Sequence, residues 1–258
     1  MNKFKLTIEY DGTNYSGWQA QANAKGIQGV LIQAAEKLLA GKVDIQGAGR
    51  TDAGVHALGQ VAHLVTDKQT PPRQLLEGLN DLLPAGINIL KVEKAPAGFH
   101  ARHDATMRSY VYVISKKRTA FGKKYVWWIK DRLDPRKMQD ILALFRGFHD
   151  FASFADKRLD KGVSTLVQLD TLELHQADDL FVVRIAGSHF LWKMVRRMVG
   201  IMVEAGRGNL AGSDVEKMLA QASDVPARYT APPSGLFLEQ VLYQGDSLRP
   251  LKLPLLLW

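Results

Sequence analysis

Along this chain the spacing of apolar residues switches between every second position and every third or fourth, and the switches come in the same order twice. From Lys3 to Tyr10, the residues Phe4, Leu6, Ile8 and Tyr10 alternate with Lys5, Thr7 and Glu9, which is the period of a half-buried strand. Val30, Leu31, Ala34, Ala35, Leu38 and Leu39 then recur at helical spacing, with Gly41 as a stop. Two strand-like stretches, KVDIQ and QVAHLV, flank a polar loop. Pro71 to Leu83 predicts a helix with a stripe of Leu75, Leu76, Leu79, Leu82 and Leu83, ended by Pro84 and Gly86, and Ile87 to Val92 predicts a strand.

The second round opens with a strand over Met107 to Ser115, with Tyr110, Tyr112 and Ile114 on one face and Val111 and Val113 on the other. Pro135 to Phe145 predicts a helix, with Met138, Ile141, Leu142 and Phe145 on one stripe. Leu166 to His175 and Leu180 to Ile185 are strands joined by a tight Asp178-Asp179 turn. A long helix is expected over His189 to Glu204, ended near Gly206 and Gly208, then a short one capped by Ser213 and reaching Gln221, and a last strand over Leu236 to Tyr243. Element order, rather than any residue-level repeat, therefore predicts an α+β protein of two tandem ferredoxin-like (β-α-β-β-α-β) halves, 1–104 and 105–258. Their strands are expected to form a continuous, mainly antiparallel sheet with helices on one face, and the active-site cleft is expected between the halves.

The polar loop, Gly49 to Ala57, reads GRTDAGVHA. Arg50 and Asp52 are two apart, so in extended chain they share a face. Gly47, Gly49, Gly54 and Gly59 surround them and permit left-handed backbone or close approach by another backbone or a ligand. Taken alone, such a loop is also what an ordinary glycine-rich hairpin with a surface Arg–Asp pair looks like.

Five further blocks sit along the chain with this one. Tyr10 to Gln21 reads YDGTNYSGWQAQ, Phe99 to Ala105 FHARHDA, Arg108 to Tyr112 RSYVY, Phe190 to Gly200 FLWKMVRRMVG, and Ala231 to Leu238 APPSGLFL. Together they resemble, in order and over nearly the whole chain, the tRNA pseudouridine synthase A family. There are two departures: Lys193 stands where bacterial members often carry histidine, and Ala155 to Thr165 lacks a cysteine found in many of them. The resemblance implies isomerisation of uridine to pseudouridine at positions 38 to 40 of the tRNA anticodon stem-loop. It also implies a cytoplasmic homodimer acting on tRNA without a cofactor.

It further implies roles for individual residues. Asp52 corresponds to the essential carboxylate; whether it attacks the sugar, attacks the base or first removes a sugar proton is open. Arg196 corresponds to the helix arginine that pairs with that aspartate, although Arg50 is adjacent in the motif. Arg50 is then assigned to phosphate, or to displacing the target base from its stack. Tyr110 corresponds to the active-site tyrosine, stacked on the uracil or helping the carbon-5 proton leave, while Tyr112 is expected in the core. Substrate phosphates are assigned to Arg102, Arg108, Lys116, Lys117 and Arg118, although the run Lys116 to Lys124 (KKRTAFGKK) reads almost equally well as a solvated loop.

Composition agrees with a polyanionic partner. Lys plus Arg number 34 against 26 Asp plus Glu, a formal +8. With no cysteine, disulfides and zinc–thiolate sites are excluded. His100 and His103 are three apart without further ligands, which argues against a metal, and His56 and His63 are expected to satisfy local hydrogen bonds. No apolar run approaches the roughly 20 residues of a membrane span, and the apolar tail 251–258 (LKLPLLLW) is expected to dock on the body or on a partner subunit. Two other readings stay open: a non-catalytic structured-RNA-binding or chaperone protein on the same fold, and a hydrolase, which would want a second carboxylate or a metal cluster.

Overall fold

A computed structural model describes residues 1–158 and 162–251. The expected tail at 252–258 and part of the 155–165 segment lie outside the described residues. The fold is mixed α+β with mainly antiparallel strands, and the chain divides into two compact units. The first comprises Met1–Thr106 and Phe237–Leu248; the second comprises Met107–Leu236 and resumes at Arg249.

In the first unit, β1 (Asn2–Tyr10), α1 (Ile27–Leu39), β2 (Asp44–Gly47), β3 (His56–Thr66), α2 (Pro72–Leu82) and β4 (Ile87–Lys94) follow one another as the periodicity predicts. Both β4 and β3 pair antiparallel with β1, and β2 pairs antiparallel with β3 from Asp44↔Val65 to Gly47↔Ala62. The alternation in β1 is realised as burial of Phe4, Leu6, Ile8 and Tyr10 and partial exposure of the residues between. Leu31, Ala35, Leu75 and Leu79 of the two helices are buried as well, each leucine contributing about 1.5–3 kcal/mol. The other end of β3 takes a parallel partner, β10 (Leu236–Tyr243), through Phe237↔His56 and Leu238↔Ala57.

In the second unit, β5 (Ala105–Ser115) pairs antiparallel with β9 (Leu180–Gly187), from Arg108↔Gly187 to Ser115↔Leu180. In turn β9 pairs with β8 (Leu166–Ala177), and β8 with β7 (Gly147–Asp150). The two-residue strand β6 (Trp127–Trp128) runs parallel to the end of β5. The helices are α3 (Pro135–Leu144), α4 (Met194–Gly206), α5 (Gly212–Ala220) and α6 (Val225–Arg228). The strands β6 and β7 and the helix α6 are too short to show a period.

Two helix starts differ from expectation. The long helix begins at Met194, not His189, because Lys193 takes a left-handed conformation (φ 64°) immediately before it. The helix α5 begins at Gly212, and its first turn is closed by Asp214, whose carboxylate accepts the Ala211 N–H at 2.9 Å; Ser213 is inside the helix and is not its cap.

Candidate active site

Asp52 lies in the turn that joins β2 to β3, and the chain after β1 folds over that turn. Trp18 N–H donates to the Thr51 carbonyl at 3.0 Å, and Gly54 N–H donates to the Tyr15 carbonyl at 3.3 Å. Val55 N–H donates to the carbonyl of Asp52 itself at 3.1 Å. From the side-chain side, the Tyr10 hydroxyl meets Thr51 Oγ1 at 2.8 Å, and Gln60 Nε2 donates to the Gly49 carbonyl at 2.9 Å. Burial pushes the Tyr10 hydroxyl up to about 12, although its hydrogen bond to Thr51 opposes the shift.

Glycine allows this approach. A Cβ at Gly17 (φ 94°) would stand 2.4 Å from the Thr51 carbonyl oxygen, and one at Gly12 would stand 2.0 Å from that of Val55. Thr51 and Val55 are consequently buried, Asp52 between them is half-buried, and Arg50 is exposed. Beyond the turn, the His56 ring stacks on Phe237 at 4.7 Å and accepts the Gly12 N–H at Nδ1 (3.1 Å), with Asp11 Oδ1 3.2 Å from the same nitrogen.

The remaining expected catalytic residues belong to the second unit. Tyr110 is buried in β5, edge-on to Phe190 at 5.0 Å. Two residues earlier, Arg108 donates from Nη1 to the Ser188 carbonyl at 3.0 Å. Both therefore address the 188–190 segment that leads to α4. Tyr112 is core, as expected: it donates to the Pro232 carbonyl at 2.8 Å and packs edge-on to Trp127, and burial raises its hydroxyl well above the usual range. In α4 every residue but Arg196 is buried. Arg196 is half-buried; its Nε donates to the Ala231 carbonyl at 2.7 Å, and its own carbonyl accepts the Ala231 N–H at 3.0 Å. Gly200 brings that strand of chain close, since a Cβ there would lie 1.5 Å from the Tyr229 carbonyl oxygen.

An ionic cluster at the start of α4 went unrecognised in the sequence. Asp156 is only 6% exposed. Its carboxylate bonds Lys193 Nζ at 2.8 Å and Arg158 Nε at 2.9 Å, with Arg197 Nη2 at 4.0 Å. These cations, Arg158 first, hold the carboxyl well below the usual range. Arg197 is itself buried, which lowers its pKa, and donates from Nη1 to the Ala155 carbonyl. The one signal in the sequence was an acid closing the apolar run FASFAD, ahead of a basic helix.

The phosphate-binding candidates are dispersed. Arg102 is exposed in the turn before β5, where Arg102 N–H and His103 N–H both point at His100 Nδ1. Lys116, Lys117 and Arg118 follow the other end of β5, about 20 Å from Tyr110 at strand rise. There Arg118 lies 5.8 Å from the ring centre of Trp128. His63 accepts the Ala101 N–H, so the local roles expected for His56 and His63 hold. Among the described residues no group of three or more His, Asp or Glu side chains is arranged to hold a metal, and no helix is long and apolar enough to cross a membrane.

The family model described as tRNA pseudouridine synthase matches residues 6–104 and 141–244, so that Asp52 and Arg196 fall inside the matched spans and Tyr110 between them. The chain belongs to the tRNA pseudouridine synthase family. Its similar relatives include the tRNA pseudouridine synthases A of Rhodopseudomonas palustris (42% identity, 95% of this chain and all of the relative), Citrifermentans bemidjiense (41%, 95% and 98%) and Ruminiclostridium cellulolyticum (38%, 94% and 100%).

Proposed function

We propose that this chain isomerises uridine to pseudouridine in the anticodon stem-loop of tRNA, at positions 38 to 40, with Asp52 as the catalytic carboxylate. In the reaction the bond from uracil N1 to the sugar breaks and C5 bonds to the same sugar carbon. C5 loses a proton and N1 gains one, so the overall composition is unchanged and no cofactor is needed. The observation that carries the reading is the family match over both units, joined to the way the Asp52 turn is built. A half-buried carboxylate projects from backbone that Trp18, Tyr10 and Gln60 hold still. Preorganisation of that kind is what a reacting group requires.

In this reading Arg196 pairs with the Asp52 carboxylate and orients it; the bond from its Nε to Ala231 sets the plane of its guanidinium. Tyr110 stacks on the extruded uracil, and flipping the nucleotide costs a few kcal/mol. Arg50, Arg102, Arg108, Lys116, Lys117 and Arg118 hold phosphates, and the formal +8 favours that contact through counterion release. The protein works as a homodimer in the cytoplasm.

Tritium release from tRNA labelled at uridine C5 tests the proposal. Wild type is expected to release tritium, and Asp52→Ala to lose at least ~10⁴-fold in turnover while keeping its melting temperature. RNA binding by wild type without release would favour a non-catalytic RNA-binding role instead.

A further inference from the structure

We propose that Asp156 is a positioning residue that sets where α4 begins and thereby aims Arg196; the inference rests on the reading that Arg196 acts in catalysis. Lys193 carries a side chain in the left-handed region (φ 64°), a conformation that costs any residue with a Cβ and persists only where its surroundings impose it. Asp156 supplies that imposition twice. Its N–H donates to the Trp192 carbonyl at 3.0 Å, and its carboxylate takes Lys193 Nζ at 2.8 Å, so the two residues before α4 are clamped from one side.

The same carboxylate neutralises the buried Arg197 one turn into the helix and is itself covered by Arg158, whose guanidinium lies 4.2 Å from the ring centre of Trp192. Arg197 N–H in turn donates to the Lys193 carbonyl at 3.0 Å, which carries the clamp into the first helical turn. Arg196 sits inside that turn. Its far side is fixed by Ala231, through both its Nε and its carbonyl. The guanidinium is therefore located by two anchors, Ala231 on the flank and Asp156 at the start. Without the carboxylate, Lys193 would lose the tether that holds its strained backbone, so the first turn would shift and Arg196 with it.

The test is steady-state pseudouridine formation on tRNA with melting measured in parallel. Asp156→Asn keeps the shape and removes the charge. Its kcat is expected to fall ~10-fold or more with KM for tRNA within about 2-fold, the signature of a misplaced reacting group. Glycine accepts φ 64° without a tether, so in Asp156→Asn/Lys193→Gly kcat is expected to recover to within ~3-fold of wild type. The contrast of Lys193→Ala with Lys193→Gly repeats the test with Asp156 intact: alanine is expected to lose kcat and glycine to keep it, so the proposal is decided even where Asp156→Asn does not fold. Wild-type kcat in Asp156→Asn, or equal kcat in Lys193→Ala and Lys193→Gly, would overturn it. Arg196→Ala separates the two levels: if that variant is active, the role given to Arg196 fails; if it is inactive while Asp156→Asn is normal, only the positioning role fails.

Discussion

The two regions that carry the proposed catalytic groups are held by different forces. The backbone of the Asp52 turn is held by neutral, mostly main-chain bonds: Trp18 to Thr51, Gly54 to Tyr15, Tyr10 to Thr51. Around the start of α4 they are ionic, with one sunken carboxylate serving Lys193, Arg158 and Arg197. The difference has a physical logic. A turn whose backbone must stay fixed can be held by bonds that need no counter-charge. A helix that must present an arginine while burying a second one needs a counter-charge. The ionic region is accordingly the one that acid dismantles. The Asp156 carboxyl is depressed, so its stabilisation is full above the unfolded carboxylate value and is lost as pH falls below it.

Three substitutions bear on that contrast. The largest expected effect comes from Arg196→Ala, which on the proposed role of Arg196 is expected to lower kcat ~10²–10³-fold with KM for tRNA within a few-fold, because the proposed phosphate contacts stay in place. Unchanged turnover would mean that the ionic region serves the fold alone. Gly17→Ala comes next. Its Cβ would meet the Thr51 carbonyl oxygen at 2.4 Å on a backbone with φ 94°. A loss of about 2–4 kcal/mol in denaturant unfolding is expected, with turnover reduced in the protein that remains folded. A neutral result would show that the turn gives way and is not held rigid.

The smallest effect belongs to Tyr10→Phe, which removes the bond to Thr51 and is expected to cost about 1 kcal/mol near neutrality. Its pH dependence sharpens the comparison. In wild type the Tyr10 hydroxyl is raised to about 12 while the unfolded chain ionises near 10. The unfolded state therefore loses a proton that the native state keeps, and stability falls as pH rises from about 10 to 12, by up to about 3 kcal/mol. The phenylalanine variant is expected to lack that contribution, so the two stability curves should cross in alkali; parallel curves would show that Tyr10 does not titrate with unfolding.

The sequence was most informative where a period ran long. In β1, α1, α2, β8 and β9 one face is apolar for several turns or pleats, and those elements fall where the spacing predicts. The Asp52 loop was legible because glycines clustered around an acid flanked by strand-like runs. The start of α4 was not. His189 to Lys193 continues the composition of a helix, and only the left-handed backbone at Lys193, supported by an acid 37 positions earlier in the chain, delays it. Asp156 was invisible for the same reason: its partners are distant in sequence, and its own neighbourhood reads as an ordinary apolar turn. The pairing of β10 with β3 is likewise a long-range parallel contact of two residues, below what any local pattern encodes.

That last contact has a consequence for synthesis on the ribosome. The residue that stacks on His56, just past the Asp52 turn, is Phe237, and a Cβ on Gly59 would already touch the Glu239 carbonyl oxygen, 2.7 Å away. A nascent chain can assemble β1 to β4 early, yet the exit of the Asp52 turn stays unlatched until Phe237, about 180 residues further on, has been made. The order in which translation delivers these parts thus lets the turn form before its latch.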